Sequence, residues 1–177
     1  MIHTFNAMLS IARLEAGIDK TEWEHVHVGD LAAELAELYS AVAEDANLMF
    51  IERINANPVF YGNRHLLAQA ITNLLDNAIK YTRVKGIIGL YLSGDNQEFT
   101  ITVTDNGPGI PRHERDRVLQ RFVRLENERN SPGNGLGLSL VTAVARIHGA
   151  ELMLSDNSPG LAVTLGFRGR VLESEAA

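Results

Sequence analysis

Apolar residues recur at alternating three- and four-residue steps near the start of the chain, at Ile2, Phe5, Leu9, Ala12 and Ala16. This narrow, heptad-like seam predicts a helix over 2–16. A helix of that length is marginal alone and needs a partner, either its own domain or another helix. Gly17 in "AGIDKTE" closes it as a C-cap. "WEHVHVG" then alternates like a strand, and Asp30 reads as the N-cap of a helix over "LAAELAELYSAVAEDA". "LMFIERI" and "PVFY" are short strand candidates. Residues 64–82 return to helical spacing, with Leu67, Ile71, Leu74 and Ala78 gathered into a core stripe.

Two β-branched runs, Gly86 to Leu92 and Glu98 to Thr104, flank the turn "SGDNQ" and predict a hairpin. From Asn106 to Asn134 the pattern dissolves into glycine, proline and charge, with one short helical stretch near "HERDRVLQRF". So long an irregular segment inside a compact domain is characteristically functional or mobile. "LGLSLVTAVARIHG" predicts a helix ending at Gly149, and "AELMLS" with "LAVTLGF" a second hairpin. The tail "ESEAA" reads as disordered. Several helices and mainly hairpin-connected strands imply an α+β sandwich, with helices on one face of a mixed sheet.

Composition narrows the function more than the fold. The chain has 177 residues, 45% of them hydrophobic and 21% charged, enough for one ordinary domain with a little left over. A net charge of −6, with both signs interspersed, weighs against a nucleic-acid partner. The absence of cysteine excludes disulfides, thiolate zinc sites and cysteine nucleophiles. No apolar run approaches the ~20 residues that span a bilayer, and no signal peptide opens the chain. The expectation is a cytoplasmic domain. Because the chain begins inside a helical pattern, it is expected to be a fragment of something longer.

Three stretches depart from core-building patterns. In "NLLDNAIKYT", Asn73, Asn77 and Lys80 share a sector of about 60°, roughly a third of a turn from the leucine stripe. Asparagine is a mediocre helix former, so two of them one turn apart call for a reason. "DNGPGIP" at 105–111 directly follows a strand, and "GNGLGLSL" at 133–140 directly precedes a helix. Taken singly these are a solvated helix face, a turn and a flexible helix entry. The GxxxxGK(S/T) loop is absent. Glycines 133, 135 and 137 are spaced GxGxG after a loop, so neither Walker nor Rossmann binding follows.

In this order and at these separations, the stretches resemble the nucleotide-binding domain of the sensor histidine kinases, within the Bergerat-fold ATPase superfamily. "NLLDNAIKYT" looks like the N box, "DNGPGIP" the first glycine box, "QRFVRL" the F box and "GNGLGLSL" the second glycine box. "MLSIARLEAG" is similar to the end of the second helix of a preceding dimerisation domain. The resemblance implies three parts: residues 1–18 as that truncated helix, 22–168 as the ATP-binding domain, and 169–177 as a tail. It implies a two-layer α/β sandwich with a mixed, mostly antiparallel sheet covered on one face by helices, and a long ATP lid.

The resemblance also implies roles. Asn77 supplies an amide oxygen to Mg²⁺ bridging the phosphates, a ligand type that hard cations prefer. Lys80 neutralises phosphate charge, Asn73 reaches the pocket edge and Tyr81 lines the nucleotide. Asp105 accepts a hydrogen bond from the adenine amine, as a pure acceptor suits a donor. Gly107 and Gly109 let the backbone approach the base, with Ile110 beside them. Gly135, Leu136, Gly137 and Leu138 form the phosphate side, where a helix N-terminus adds amide dipoles. Phe122 lies in the lid.

Superfamily members that hydrolyse ATP carry a glutamate general base four residues before the magnesium asparagine. Here that position is Asn73, and an amide has no useful basicity. Asp76 points about 60° away and reads as solvated. Transfer to an acceptor is therefore favoured over hydrolysis. The family's acceptor histidine sits in a His-Glu-Leu-Arg-Thr-Pro type of motif, which this chain lacks. His3 has neither the acidic residue nor the proline. His25 and His27 read as surface strand residues, His65 and His113 as helix-surface ones. His148 stands near a helix C-terminus, where a cation is mildly favoured. "GN" at 62–63 and "HGA" at 148–150 depart from the family's usual Gly-Asp and His-Gly-Gly.

The expected partners are acceptor helices outside the chain and a response regulator. The parent is expected to be a homodimer, and many family members are membrane-anchored. Two other readings stand beside this one: an ATPase or anti-sigma-type serine kinase of the same fold, and a degenerate module that binds no nucleotide. "KYT", "RFVRLE" and "RLEAG" argue against the first, and Asn77, Asp105 and the glycines against the second.

Overall fold

A computed structural model describes residues 22–120, 122–123 and 135–168. The helix predicted over 2–16, its Gly17 cap, half of the F box and the tail lie outside the described residues. The chain enters through strand β1 (Glu24–His27), which pairs antiparallel with β3 (Val59–Gly62) as a separate two-stranded ribbon. Val26 and Phe60 face inward from this ribbon, while His25 and His27 are exposed, as their alternation predicts.

Helix α1 (Val28–Asp45) starts three residues earlier than the sequence suggests, and Asp30 is not its N-cap. The capping acceptor comes from 27 residues downstream. Asn57 Oδ1 accepts from the backbone N–H of Gly29 (2.8 Å) and Asp30 (3.3 Å), and its amide donates to Asp30 Oδ1 (2.9 Å). A Cβ at Gly29 would lie 2.5 Å from the Ala56 carbonyl oxygen, so only glycine admits this loop onto the helix start.

The main sheet has the order β2-β4-β5-β7-β6, with β2 (Met49–Ile54), β4 (Ile87–Gly94), β5 (Glu98–Asp105), β6 (Glu151–Asp156) and β7 (Leu161–Arg168). Its two predicted hairpins, β4–β5 and β6–β7, are present, and β2 runs parallel to β4. Alternate residues Phe99, Ile101 and Val103 of β5 and Val163, Leu165 and Phe167 of β7 face the helices. On the opposite face hydroxyls pair across strands, Thr102 with Thr164 (3.0 Å) and Ser93 with Thr100 (3.2 Å). The result is the expected α+β arrangement: a mixed, mostly antiparallel sheet with helices on one side. Phe99 and Phe167 stack at 4.7 Å and Phe60 meets both edge-on, which joins the ribbon to the sheet.

Helices α2 (Arg64–Tyr81) and α4 (Gly137–His148) pack against one another and run antiparallel. Leu67, Ile71, Leu74 and Ala78 are buried, as the stripe predicts. At one end of the pair, buried Asn63 caps α2 by accepting from Leu66 N–H (3.0 Å), the role an aspartate would fill equally. Its own N–H donates to His148 Nε2 (3.0 Å), which leaves the ring proton on Nδ1 for the Val144 carbonyl (2.9 Å). His148 is thus a buried neutral brace rather than a cation on a helix end. The short helical stretch after Pro111 is a 3₁₀ turn (Arg112–Glu114) followed by α3 (Arg115–Val118). Gly149 ends α4 with φ of 67°. Among the described residues, no helix is long and apolar enough to cross a membrane.

Asn63→Ala removes the cap while leaving the backbone bond to His148. It is expected to cost ~1 kcal/mol in urea unfolding, and Asn63→Asp to stay within about 0.5 kcal/mol of the unaltered chain.

Candidate functional site

The far end of the α2–α4 pair brings two of the three unusual stretches together. Gly137, the first residue of α4, has its Cβ position 3.3 Å from Asn77 Nδ2, 3.4 Å from Asn73 Oδ1 and 3.5 Å from Asn77 Oδ1. Any side chain there would press on both amides. Leu136 precedes the helix without a side-chain cap, so the first N–H groups of α4 have no capping acceptor from it. Uncapped N–H groups at the start of a 12-residue helix form a natural anion site.

Asn73 spends its Nδ2 on the Gln69 carbonyl (2.7 Å), leaving Oδ1 toward α4. Asn77 makes no side-chain hydrogen bond among the described residues. An amide oxygen free on a ligand-facing sector suits a hard cation that draws its remaining ligands from phosphate and water. Lys80 donates to the Tyr81 hydroxyl (2.8 Å), and its Nζ stands 4.5 Å from that ring's centroid. Asp76 is exposed, as its solvated reading has it, and it also accepts from the Tyr39 hydroxyl (2.7 Å), tying α2 to α1. Burial, reinforced by the Asp76 carboxylate, pushes the Tyr39 hydroxyl pKa well up.

The third stretch encloses a carboxylate. Asp105 ends β5 and is 8% exposed. Its Oδ1 accepts from Gly107 N–H (2.8 Å) and Leu161 N–H (3.4 Å), while Oδ2 has no donor among the described residues. Burial raises its pKa above the ordinary carboxyl value, and the two backbone donors only partly offset that. A Cβ at Gly107 would lie 2.6 Å from the Tyr81 carbonyl oxygen, so the loop lies directly against the end of α2.

Two residues that sequence reasoning missed complete the enclosure. Asn157 Nδ2 donates to the Asp105 carbonyl (2.7 Å), and Gly160, at φ of 110°, leaves room for that same carbonyl. Gly109 in turn has φ of 68° and lies against the Gly160 carbonyl. "DNSPG" at 156–160 reads only as a hairpin turn, since its composition carries no sign of this contact.

The remaining candidates sit at the rim. Ile110 and Leu138 pack partly against the core, and Leu136 is buried. The Phe122 ring is 59% exposed, and its N–H donates to the Gly135 carbonyl (3.1 Å), joining the two sides of the lid segment. Among the described residues no group of three or more His, Cys, Asp and Glu could hold a metal ion.

Comparison with known proteins agrees with this arrangement. A family model described as histidine kinase-, DNA gyrase B-, and HSP90-like ATPase matches residues 62–170. The chain is 36% identical over 132 residues to the adaptive-response sensory kinase SasA of Crocosphaera subtropica, over 73% of this chain and 34% of that protein. It is 43% identical over 101 residues to the signal transduction histidine-protein kinase/phosphatase MprB of Mycolicibacterium vanbaalenii, over 56% of this chain and 21% of that one. It therefore spans about a third of the length of the first relative and a fifth of the second. A solved mycobacterial sensor histidine kinase MprB superposes with TM-score 0.71 at 30% identity, over 84% of this chain and 98% of that one.

Asp105→Asn keeps the acceptor oxygen for both backbone donors and removes the buried charge. Because the folded-state pKa is raised, the unaltered chain loses stability as pH rises through it. The variant should melt higher than the unaltered chain at pH 7, with the difference closing as pH falls below ~3.9, the ordinary aspartate value.

Proposed function

The chain belongs to the histidine kinase-, DNA gyrase B-, and HSP90-like ATPase family and is the ATP-binding catalytic domain of a two-component sensor histidine kinase; from that premise we propose how its residues hold Mg-ATP and where the γ-phosphoryl goes. The observation that carries the reading is the contact between Gly137 and the Asn73 and Asn77 amides. It supports a phosphate site between the start of α4 and the ligand-facing sector of α2.

In this reading Asp105 Oδ2 accepts from the adenine amine, with Gly107, Gly109 and Ile110 passing along the base and Tyr81 beside it. The Asn77 amide oxygen is a ligand for Mg²⁺, which supplies charge neutralisation across the phosphates when bound. Lys80 adds positive charge, and Asn73 borders the same space. Gly135, Leu136, Gly137 and Leu138 bring backbone N–H groups to the phosphates, and Phe122 belongs to the lid.

The chain's contribution to the chemistry is positioning. An imidazole nitrogen on a separate helix attacks the γ-phosphorus as its bond to the bridging oxygen breaks, ADP leaves, and the imidazole sheds a proton. No step needs a base from α2, which suits an amide at Asn73 and an engaged carboxylate at Asp76. Residues 1–18 are read as the end of a dimerisation helix, 22–168 as the catalytic domain and 169–177 as a tail. The partners are the acceptor helices of the parent, a homodimer, and a response regulator. The domain acts on the cytoplasmic side of a parent that is membrane-anchored in many relatives of this type.

Calorimetry should show ATP binding that strengthens with Mg²⁺. Asp105→Asn should lose it by at least roughly tenfold, because with Oδ1 committed to backbone donors the new amide presents N–H groups to an amine. Gly137→Ala should weaken Mg-ATP by a similar factor without lowering the melting temperature, since alanine is the better helix former. Added to an acceptor-helix fragment of the parent, the chain should phosphorylate a histidine and release little free phosphate alone. Steady phosphate release with no transfer would overturn the kinase reading.

A further inference from the structure

Arg115 opens α3, just beyond the loop that carries Gly107 and Gly109, and its side chain is 14% exposed. A guanidinium offers donors in a fixed planar fork. Here its three nitrogens go to three different partners. Nε donates to the Ile110 carbonyl (3.2 Å), Nη1 to the Leu154 carbonyl (3.3 Å) and Nη2 to the Asp156 carboxylate. Ile110 belongs to the loop that follows Asp105, whereas Leu154 and Asp156 belong to β6. The side chain therefore bridges the seam between that loop and the β6–β7 hairpin.

The same seam positions Asp105. On its other side Asn157 and Leu161, both from the hairpin, hold the Asp105 carbonyl and carboxylate. Between them the backbones of Gly109 and Gly160 touch with no side chain interposed. Contact of this kind has little to resist sliding, so the hydrogen bonds at its two ends fix its register. Packing does not hold the guanidinium in place instead: a cavity of about 360 Å³ opens beside it, with Leu119, Leu152 and Leu154 among its walls.

An ordinary surface ion pair is a weaker account. Asp156 is 71% exposed, and such pairs contribute little. That account leaves unexplained why two of the three acceptors are main-chain carbonyls on opposite sides of the seam.

We infer that Arg115 is a positioning residue for the adenine end of the site, setting the Gly107–Ile110 loop against the β6–β7 hairpin so that Asp105 Oδ2 faces the base. All three of its nitrogens are engaged by the protein itself. The inference rests on the nucleotide reading proposed above and adds a residue that none of the four motifs assigns.

The test compares the unaltered chain with Arg115→Lys, Arg115→Gln and Asp156→Asn in calorimetric titrations with Mg-ATP and, separately, with inorganic triphosphate and Mg²⁺. Thermal melts of the same samples accompany them. Lysine keeps the charge but, as a single ammonium, cannot serve three acceptors in a plane. Both Arg115 variants should lose roughly tenfold in ATP affinity, the scale of one lost hydrogen bond to a charged group, while triphosphate affinity holds. Asp156→Asn keeps an acceptor for Nη2 and should stay within about threefold. An Arg115→Lys chain that binds ATP as the unaltered chain does would overturn the inference alone. So would ATP and triphosphate affinities that fall together in step with the melting temperature, since that is a general structural role. An unaltered chain that binds no ATP would overturn the nucleotide reading and this inference with it.

Discussion

The approach of α4 to two amides on α2, made without a side chain at Gly137, is the constraint around which this domain is built. A Cβ at Gly137 would stand 3.3–3.5 Å from the two amides, so the helix start comes to the edge of ordinary contact with the polar sector. The opposite end of the pair supplies the control. There Asn63 and His148 share one hydrogen bond, the backbone N–H of the first donating to Nε2 of the second. The pair is hydrogen-bonded at that end, while the Gly137 end presents a polar sector. The sheet beneath, with its alternating Phe, Ile, Val and Leu face, keeps both helices in one plane.

The open end carries features that a structure selected for stability alone would not keep. An aspartate is buried with one oxygen committed and the other without a donor among the described residues, which burial penalises. A 12-residue helix begins without a side-chain cap. Asn77 occupies a mid-helix position where most residues have better propensity. Each is a local fault, and all three lie where the backbones of α2, α4 and the β5 end converge. Faults scattered over a molecule suggest drift, whereas faults gathered at one place suggest a ligand that repairs them. In the reading proposed above, an adenine amine, a magnesium ion and a phosphate are those three counterparts.

How much of this could be read from the sequence follows from the range of each interaction. Helices α2 and α4 and both hairpins were legible because their periodicity, caps and turns are contained within a dozen residues. The sector holding Asn73, Asn77 and Lys80 was legible for the same reason, since helix geometry fixes relative angle. The cap on α1 was misplaced at Asp30 because its acceptor, Asn57, arrives from the loop before β3. The parallel pairing of β2 with β4 depends on a crossover through α2 and leaves no trace in either strand's own pattern. That exposed Asp76 also accepts from Tyr39 becomes visible only when α1 is placed over α2. Asn157 and Gly160 look like turn residues for the same reason: their partner, Asp105, is 52 residues away from the first of them. The resemblance supplied the order of the boxes but is silent about these supports, which lie between or after them.

The same supports bear on the choice between transfer and hydrolysis. Water activation requires a base aimed at the phosphate side of α2. Asn73 stands there, but its Nδ2 is given to the Gln69 carbonyl and its oxygen faces α4, so it can orient a neighbour and accept no proton of consequence. Asp76, the acidic residue one position before Asn77, is held on the α1 side by a hydroxyl whose own proton is made harder to remove by that contact. Turning Asp76 toward Asn77 would break that bond and leave the Tyr39 hydroxyl only the longer one to the Thr72 carbonyl (3.3 Å). The fold thus does more than omit a base. It anchors Asp76 toward α1, and in the reading proposed above that leaves residues that hold and neutralise the phosphates, with the nucleophile coming from another element.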